Sequence, residues 1–296
     1  LSEQYASSNL HLTTRQNIQL HYVKVTDAPA MWAGLEDVGA TAREACGNTV
    51  RNVTGSSIAG IDADELFDVS PYAQAAFEFF LRNPLCQDMA RKVKIAFSSS
   101  DKDSAYTFLH DFGFVPRIKD GARGFRVVVG GGLGAQSMLA HHVYDFLHED
   151  LIIPFMEAAL RVFDRYGERT RRNKARMKYL IKDLGLEKFL ELVEIERKAN
   201  KVQRLKIDTT KVGVAIPDHD NIAPQVEIAD QKRYEDWLKT NVFEQKQKGY
   251  YAVALKVTKG DIKPDEARAI AALAQEYASE DMRITMNQGL LLRFVR

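Results

Sequence analysis

The two ends of the chain repeat one another. Leu1 to Lys24 aligns without a gap on Leu273 to Arg296, an offset of 272 positions. Leu1, Tyr5, Ala6, Ser7, Thr13, Gln16, Leu20 and Val23 are identical to their partners, and most other pairs are conservative. A repeat at both ends means one supersecondary unit built twice, with whatever lies between inserted into the pair. Each copy reads as helix end, turn, strand. The second copy shows more. Tyr250 to Val257 is a β-branched and apolar run, Asp261 to Pro264 carries turn and helix-start signals, and Glu266 to Tyr277 has helical periodicity. The strands at Ile18–Val23 and Leu290–Val295 are expected in one sheet. The first residues, Leu-Ser-Glu-Gln-Tyr, lack an initiator Met, a basic segment and an apolar segment, so they are no signal peptide. They read as the interior of a helix, so a fragment is expected, with the first copy's opening strand lost.

Between the copies lies a second region. Pro71 to Leu81 is amphipathic, with Ala73, Phe77, Phe80 and Leu81 on one helical face. Lys92–Ser98, Ala105–His110 and Phe125–Val129 read as strands, with a turn at Lys119-Asp120-Gly121. Val143–Arg165 reads as a long helix interrupted near Pro154, and Arg169–Lys182 and Leu186–Arg197 as helices joined at Gly185. A polar connector with Pro217, Asp218, Asp220, Asn221 and Pro224 follows, holding one short strand, Val212 to Ile216. The mixed order predicts α+β rather than a strict alternating parallel fold. The expected organisation is 1–44, first half-unit; 45–200, central α+β domain; 201–225, connector; 226–296, second half-unit.

The charge balance narrows the chemistry. Lys plus Arg is 41 and Asp plus Glu is 40, a net +1. A dedicated nucleic-acid binder is usually more basic, so any anion site must come from local clustering. No apolar run approaches the roughly 20 residues of a membrane span. Two cysteines, Cys46 and Cys86, exclude a disulfide framework, fit a reducing cytoplasm, and fall short of the four thiolates of an iron–sulfur cluster. Cys46 reads as a packed thiol rather than a nucleophile.

Clustering is present. Arg165, Arg169, Arg171, Arg172, Lys174, Arg176 and Lys178 stand together against one carboxylate, Glu168. Arg172 and Arg176 are one helical turn apart and would share a face. The stretch is a solvated helix face, a nucleic-acid stripe or a pocket for a polycarboxylate or phosphate; the aromatics of a base-stacking platform are missing. Lys92 and Lys94 would point to one side of a strand, as edge guards or as a pair bridged by an anion. Gly130-Gly131-Gly132 with Gly134 follows a strand and contains G-x-G-x-x-A. The acidic residue of a dinucleotide fold is missing downstream, so a plain tight loop or close approach to another anionic ligand stays open. His141, Asp145 and His148 are a weak metal candidate.

Taken together, Leu12-Thr-Thr-Arg-Gln-Asn-Ile-Gln19, Cys46-Gly-Asn-Thr-Val-Arg-Asn-Val53, Ala90-Arg-Lys-Val-Lys-Ile95, the Gly124–Gly134 stretch and Arg169-Thr-Arg-Arg-Asn-Lys-Ala-Arg-Met-Lys178 resemble the siroheme-dependent nitrite and sulfite reductases. The motifs occur in that family's order and cover nearly the whole chain. The resemblance implies two ferredoxin-like half-units flanking a siroheme-reductase domain. It implies six-electron reduction of nitrite or sulfite at siroheme coupled to a 4Fe-4S cluster, with ferredoxin or a flavoprotein as electron donor. It implies that Arg51, Lys92 and Lys94 hold the substrate anion. It also implies that Thr13, Arg15, Gln19, Arg91, Arg172 and Arg176 meet siroheme carboxylates, with Gly130, Gly131 and Gly132 beside the cofactor. In such a strand edge Arg15, Asn17 and Gln19 would share a side. The family's cluster cysteines are not among this chain's residues, so the chain alone is expected to be inactive. Asn287 replaces Arg15 in the second copy, which reads as structural. The alternative is a non-catalytic ferredoxin-like module that binds an anion or nucleic acid.

Overall fold

The computed structural model describes residues 1–213, 216–217, 221–222, 224–279 and 282–296. The first elements are α1 (Ser2–Tyr5), β1 (Leu10–Leu12), β2 (Ile18–Gln19) and α2 (Ala28–Glu36). Then come β3 (Val50–Gly55), α3 (Ser70–Phe80), β4 (Val93–Phe97), β5 (Phe112–Lys119), β6 (Ala122–Val129) and β7 (His141–His148). Helices α4 (Ile152–Tyr166), α5 (Met177–Leu184) and α6 (Leu186–Ala199) follow. The last part holds α7 (Gln231–Asn241), β8 (Val242–Glu244), β9 (Tyr251–Leu255), β10 (Asp261–Ile262), α8 (Pro264–Tyr277), β11 (Arg283–Ile284) and β12 (Leu290–Val295). The chain divides into two compact units. One comprises 1–42, 61–63 and 214–296; the other comprises 43–60 and 64–213.

In the first of these units the repeat is visible in the backbone. Helices α1 and α8 end at equivalent tyrosines, and the residues that follow, Ala6 and Ala278, are both extended, with φ −134° and −139°. Gln16 and Gln288 are both left-handed, with φ 59° and 60°, as are Tyr22 and Phe294 at 62° and 59°. The turns match bond for bond. Thr13 N donates to Asn17 O and Thr285 N to Gly289 O, each at 2.9 Å. Strands β2 and β12 do not share a sheet, however. The strands order as β10-β1-β2 in one sheet and β11-β12-β9-β8 in another. The copies meet where β1 pairs with β10, Leu10 opposite Ile262, and by an exchange of side-chain bonds. Gln16 Nε2 donates to Ile284 O at 3.1 Å, and Gln288 Nε2 donates to Leu12 O at 2.8 Å. Leu12 and Ile284 are themselves repeat partners. Leu12, Ile262 and Leu290 form a small apolar core beneath this exchange.

The expected strand Ile18–Val23 shortens to Ile18–Gln19. Its equivalent β12 continues past the same left-handed residue because β9 pairs on both sides of the irregularity, from Leu290↔Leu255 to Val295↔Tyr251. Among the described residues, β2 pairs with β1 alone.

The other unit is a mixed five-stranded sheet, order β3-β4-β5-β6-β7, parallel through β5 and antiparallel beyond. Strand β6 follows β5 through a two-residue turn, Asp120 and Gly121, both with positive φ, as a tight hairpin requires. Phe97, Phe112, Phe114 and Phe125 pack on Tyr72, Phe155 and Phe163 from the helices. Helix α4 is buried almost all round, from Ile152 to Phe163, and is the central core helix.

Three expectations are corrected here. His141–His148 is strand rather than helix, because it pairs with β6 from Gly124↔His148 to Val129↔His141. Pro154 therefore lies in the first turn of α4, where its missing N–H is harmless. Ala105–His110 is not a strand. Left-handed Tyr106 starts a short 3-10 turn there, and both Asp103 carboxylate oxygens accept from Thr107 N. Arg169–Lys182 is not one helix either; a short turn at Arg172–Lys174 precedes α5. Of the expected strand Val212–Ile216, Val212 lies in a bend, and Val214 and Ala215 are outside the described residues, as are Asp218 and Asp220. Among the described residues, no helix is long and apolar enough to cross a membrane.

Candidate anion-binding site

The parallel strands β3 and β4 start side by side, with Val50 opposite Val93. Val93 and Ile95 are fully buried on the helix side of the sheet. Strand alternation puts Lys92 and Lys94 on the opposite face, both half-buried. Arg51, one residue into β3, folds its guanidinium onto its own loop. Nη1 donates to Ala45 O at 2.5 Å, and Nη2 and Nε donate to Gly47 O at 2.9 and 3.2 Å. Arg91 Nη1 donates to Asn48 Oδ1 at 3.3 Å.

Beneath these cations sits Asp111, fully buried at the entry to β5. Its Oδ2 accepts from Arg176 Nη2 at 2.7 Å and from Lys94 N at 2.8 Å, and its Oδ1 from Arg176 Nε at 3.4 Å. Its backbone carbonyl accepts from Gly130 N at 2.9 Å. Lys178, almost fully buried, donates to the carbonyls of Gly132, Leu133 and Gln136. Among the described residues, Arg176–Asp111 is the single ion pair made by Arg51, Arg91, Lys92, Arg172, Arg176 and Lys178.

The electrostatics agree with a cluster short of counter-charge. Burial, then Arg51, Arg91 and Arg176, holds the Lys92 ammonium below the usual lysine range. Burial, then Arg172, Arg176 and Arg51, does the same to Arg91. Arg51 is lowered by burial, with Arg176 adding to it against Cys46, and Lys178 by burial and then Arg176, with Asp111 opposing. Burial comes first in each case and cationic neighbours add to it, a condition that an incoming anion relieves.

The basic run divides between this cluster and the surface. Arg172 is exposed in the short turn and Arg176 caps α5 in an extended conformation, so the two do not share a helical face. Arg165 pairs with Glu196, Arg169 with Asp164 and Arg171 with Glu168, so this part of the basic run is an ordinary paired surface. The Glu168 carboxyl is pushed down to about 2, first by the Thr170 hydroxyl and then by Arg171. Gly130 and Gly131 are enclosed by protein. A Cβ on Gly131 would lie 2.3 Å from Phe108 O, and one on Gly130 2.6 Å from Ile181. Gly132 packs on the cluster itself, its Cβ position 3.0 Å from Arg176 Nη2. Thr13, Arg15 and Gln19 belong to the first unit. The Thr13 hydroxyl accepts from Arg15 N and Asn17 N at 3.2 Å, so residues 13–17 are a turn. Arg15, Asn17 and Gln19 therefore do not line one strand edge; Gln19 stands on β2 opposite His11.

Cys46 is exposed, contrary to expectation. Cys86 is the buried thiol, pushed up to about 12 by burial. His141, Asp145 and His148 are on a strand, and no group of three metal-binding side chains occurs among the described residues. Sequence reasoning missed Asp111 and the reach of Lys178. The only hint was an Asp directly before a buried apolar strand.

Residues 46–201 match the nitrite and sulphite reductase 4Fe-4S domain, and residues 1–38 with 243–296 match the nitrite/sulfite reductase ferredoxin-like half domain. The chain belongs to the nitrite/sulfite reductase family, and its α+β fold has ferredoxin-like segments flanking the central domain. It is 37% identical over 197 residues to a sulfite reductase [ferredoxin] of Mycolicibacterium paratuberculosis, covering 66% of this chain and 35% of that protein. It is 31% identical over 290 residues to the chloroplastic ferredoxin–nitrite reductase of Oryza sativa subsp. japonica, covering 96% of this chain and 46% of that one. The structure of the Mycobacterium tuberculosis NirA protein superposes with a TM-score of 0.79 at 30% identity, covering 99% of this chain and 50% of that chain. The chain thus spans about half the length or less of these relatives.

Proposed function

We propose that this chain supplies the cationic part of a siroheme-dependent nitrite or sulfite reductase. The carrying observation is six clustered cations with one carboxylate among them. That donor set fits a polycarboxylate tetrapyrrole with a small oxyanion above it. Bound siroheme would supply the iron at which the oxyanion is reduced. Two cysteines, one exposed and one buried, do not fit a four-thiolate cluster, so this chain's residues do not supply that cluster's ligands.

Arg51, Lys92 and Lys94 are proposed to hold the substrate anion. Their charges would stabilise negative charge as oxygen leaves, and Lys92, its proton already loosened by burial and then by its cationic neighbours, is suited to donate one. Arg91, Arg172 and Arg176 are proposed to meet cofactor carboxylates, with Gly132 packed beside Arg176. Arg176 has Nε and Nη2 on Asp111, which leaves Nη1 for a ligand. Thr13, Arg15 and Gln19 are proposed as further carboxylate donors from their own unit. Ferredoxin is the donor named for the relatives, and the same role is proposed toward this chain, in a reducing compartment such as the cytoplasm. The chain alone is proposed to turn over neither substrate.

The test is anaerobic reconstitution with siroheme, read by visible absorption. Wild type is expected to take up the cofactor, and Arg172→Met and Arg176→Met to lose occupancy. Lys92→Met and Lys94→Met should keep occupancy, yet lower reduction about tenfold or more in an enzyme carrying this chain. A wild-type chain that takes up no siroheme refutes the reading. So does steady turnover by the isolated chain with reduced methyl viologen, for the part concerning inactivity.

A further inference from the structure

We infer that Asp111 is the positioning residue of the cation cluster, one buried carboxyl residue that sets strand β4 at Lys94, the guanidinium of Arg176 and the glycine-rich loop at Gly130. The inference rests on the reading above of this cluster as an anion site. Three segments remote in sequence converge on this one residue. The Lys94 amide and the Arg176 side chain donate to its carboxylate, and the Gly130 amide donates to its carbonyl. It is fully buried, so it touches no ligand itself.

Charge and geometry make opposite demands on such a residue. A carboxylate among cations weakens their field, so by Coulomb's law alone its removal should tighten the binding of an anion. The contacts say the reverse. The Asp111 carboxylate takes Nε and Nη2 of Arg176 side by side, which fixes the plane of the fork and directs Nη1 away. Gly132 packs against that same guanidinium, and Lys178 ties the loop through three carbonyls. Fixing Lys94 at its amide also fixes the start of the strand from which Lys92 projects. Without the carboxylate the cations remain, but Arg176 is left largely buried and unpaired and the Lys94 amide loses its charged acceptor, while the Gly130 amide keeps the Asp111 backbone carbonyl. Asp111 therefore trades field strength for orientation.

The experiment uses the full chain and uroporphyrin, an iron-free tetrapyrrole with eight carboxylates, followed by fluorescence. Amide hydrogen exchange provides a ligand-free readout. In Asp111→Asn, exchange at Lys94 is expected to rise about tenfold or more, with Gly130, bonded to the backbone carbonyl, and the α4 core unchanged, and uroporphyrin binding to weaken about tenfold. In Asp111→Asn/Arg176→Gln, which leaves no buried unpaired charge, binding should stay weak and exchange at Lys94 high. Unchanged exchange at Lys94, or tighter uroporphyrin binding in a folded Asp111→Asn, overturns the inference. If the single variant does not fold, the double variant decides: wild-type exchange and affinity there overturn it, and raised exchange at Lys94 with weak binding supports it. A wild-type chain that binds no uroporphyrin counts against the proposed function, while exchange at Lys94 still decides on Asp111.

Discussion

Each unit contains one polar device, half-buried in the repeat unit and almost wholly buried in the central one, and the two are built on opposite principles. In the repeat unit the glutamines at 16 and 288 exchange neutral hydrogen bonds with each other's copy. In the central unit the Asp111–Arg176 pair is charged, almost wholly buried, and surrounded by further cations. A neutral exchange satisfies both partners and asks nothing of its surroundings. A buried ion pair of one anion and one cation leaves the neighbouring cations unsatisfied. The first device specifies how two similar halves meet. The second gains little as a stability device and makes physical sense where an outside anion completes it.

The largest expected effect breaks the charged device. Asp111→Ala leaves the Arg176 side chain, 12% exposed, without its partner, and should cost about 3 kcal/mol or more in urea unfolding. A loss under about 1 kcal/mol would mean that water reaches Arg176 and that the pair is a surface contact. The neutral device should give smaller and matched effects. Gln16→Ala and Gln288→Ala should each cost about 1 kcal/mol, because each removes one hydrogen bond at the same left-handed backbone position. Unequal losses, differing by more than about 0.5 kcal/mol, would break the equivalence of the two copies.

How far these devices could be read from sequence follows from how local they are. The repeat was legible because equivalent residues reuse the same turn, and even the left-handed residues recur at the same offset. The helix at Ser70–Phe80 and the strand at Val93–Phe97 fall within a residue of expectation, since their periodicity is local. His141–His148 was misread because Val143, Tyr144 and Leu147 also fit a helical spacing; only pairing with β6 settles it. The strands at Ile18–Val23 and Leu290–Val295 lie in separate sheets against expectation, because alternation says nothing about which strand β2 or β12 pairs with. The cations of the site were visible as clusters. Their counter-ion was not, because Asp111 lies 65 positions from Arg176 and carries no motif. The tight packing of Gly130 and Gly131, where an added Cβ would meet Phe108, His110 and Ile181, was likewise invisible, because those neighbours are also remote in sequence.

The smallest effect sharpens the contrast, because it asks whether the central cluster is under-neutralised. Lys92 holds its proton less tightly in the folded chain than in the unfolded one, by burial first and then by Arg51 and Arg91. A lysine with a lowered folded value opposes folding below that value. The opposition fades as pH rises through it toward the ordinary lysine value of 10.5. Lys92→Met keeps most of the stem and removes the charge, so it should equal or exceed wild type in stability at pH 7. The margin should be about 0.5 kcal/mol, since the half-exposed head is screened. At pH 10 the margin should shrink, because wild type loses the same charge there. The contributions of Lys178 and the other lysines cancel in the comparison. Urea unfolding of both proteins at the two pH values measures it. A Lys92→Met chain less stable than wild type by the same amount at both would make Lys92 a packing residue, and the cluster would then have no charge waiting for an anion at that position.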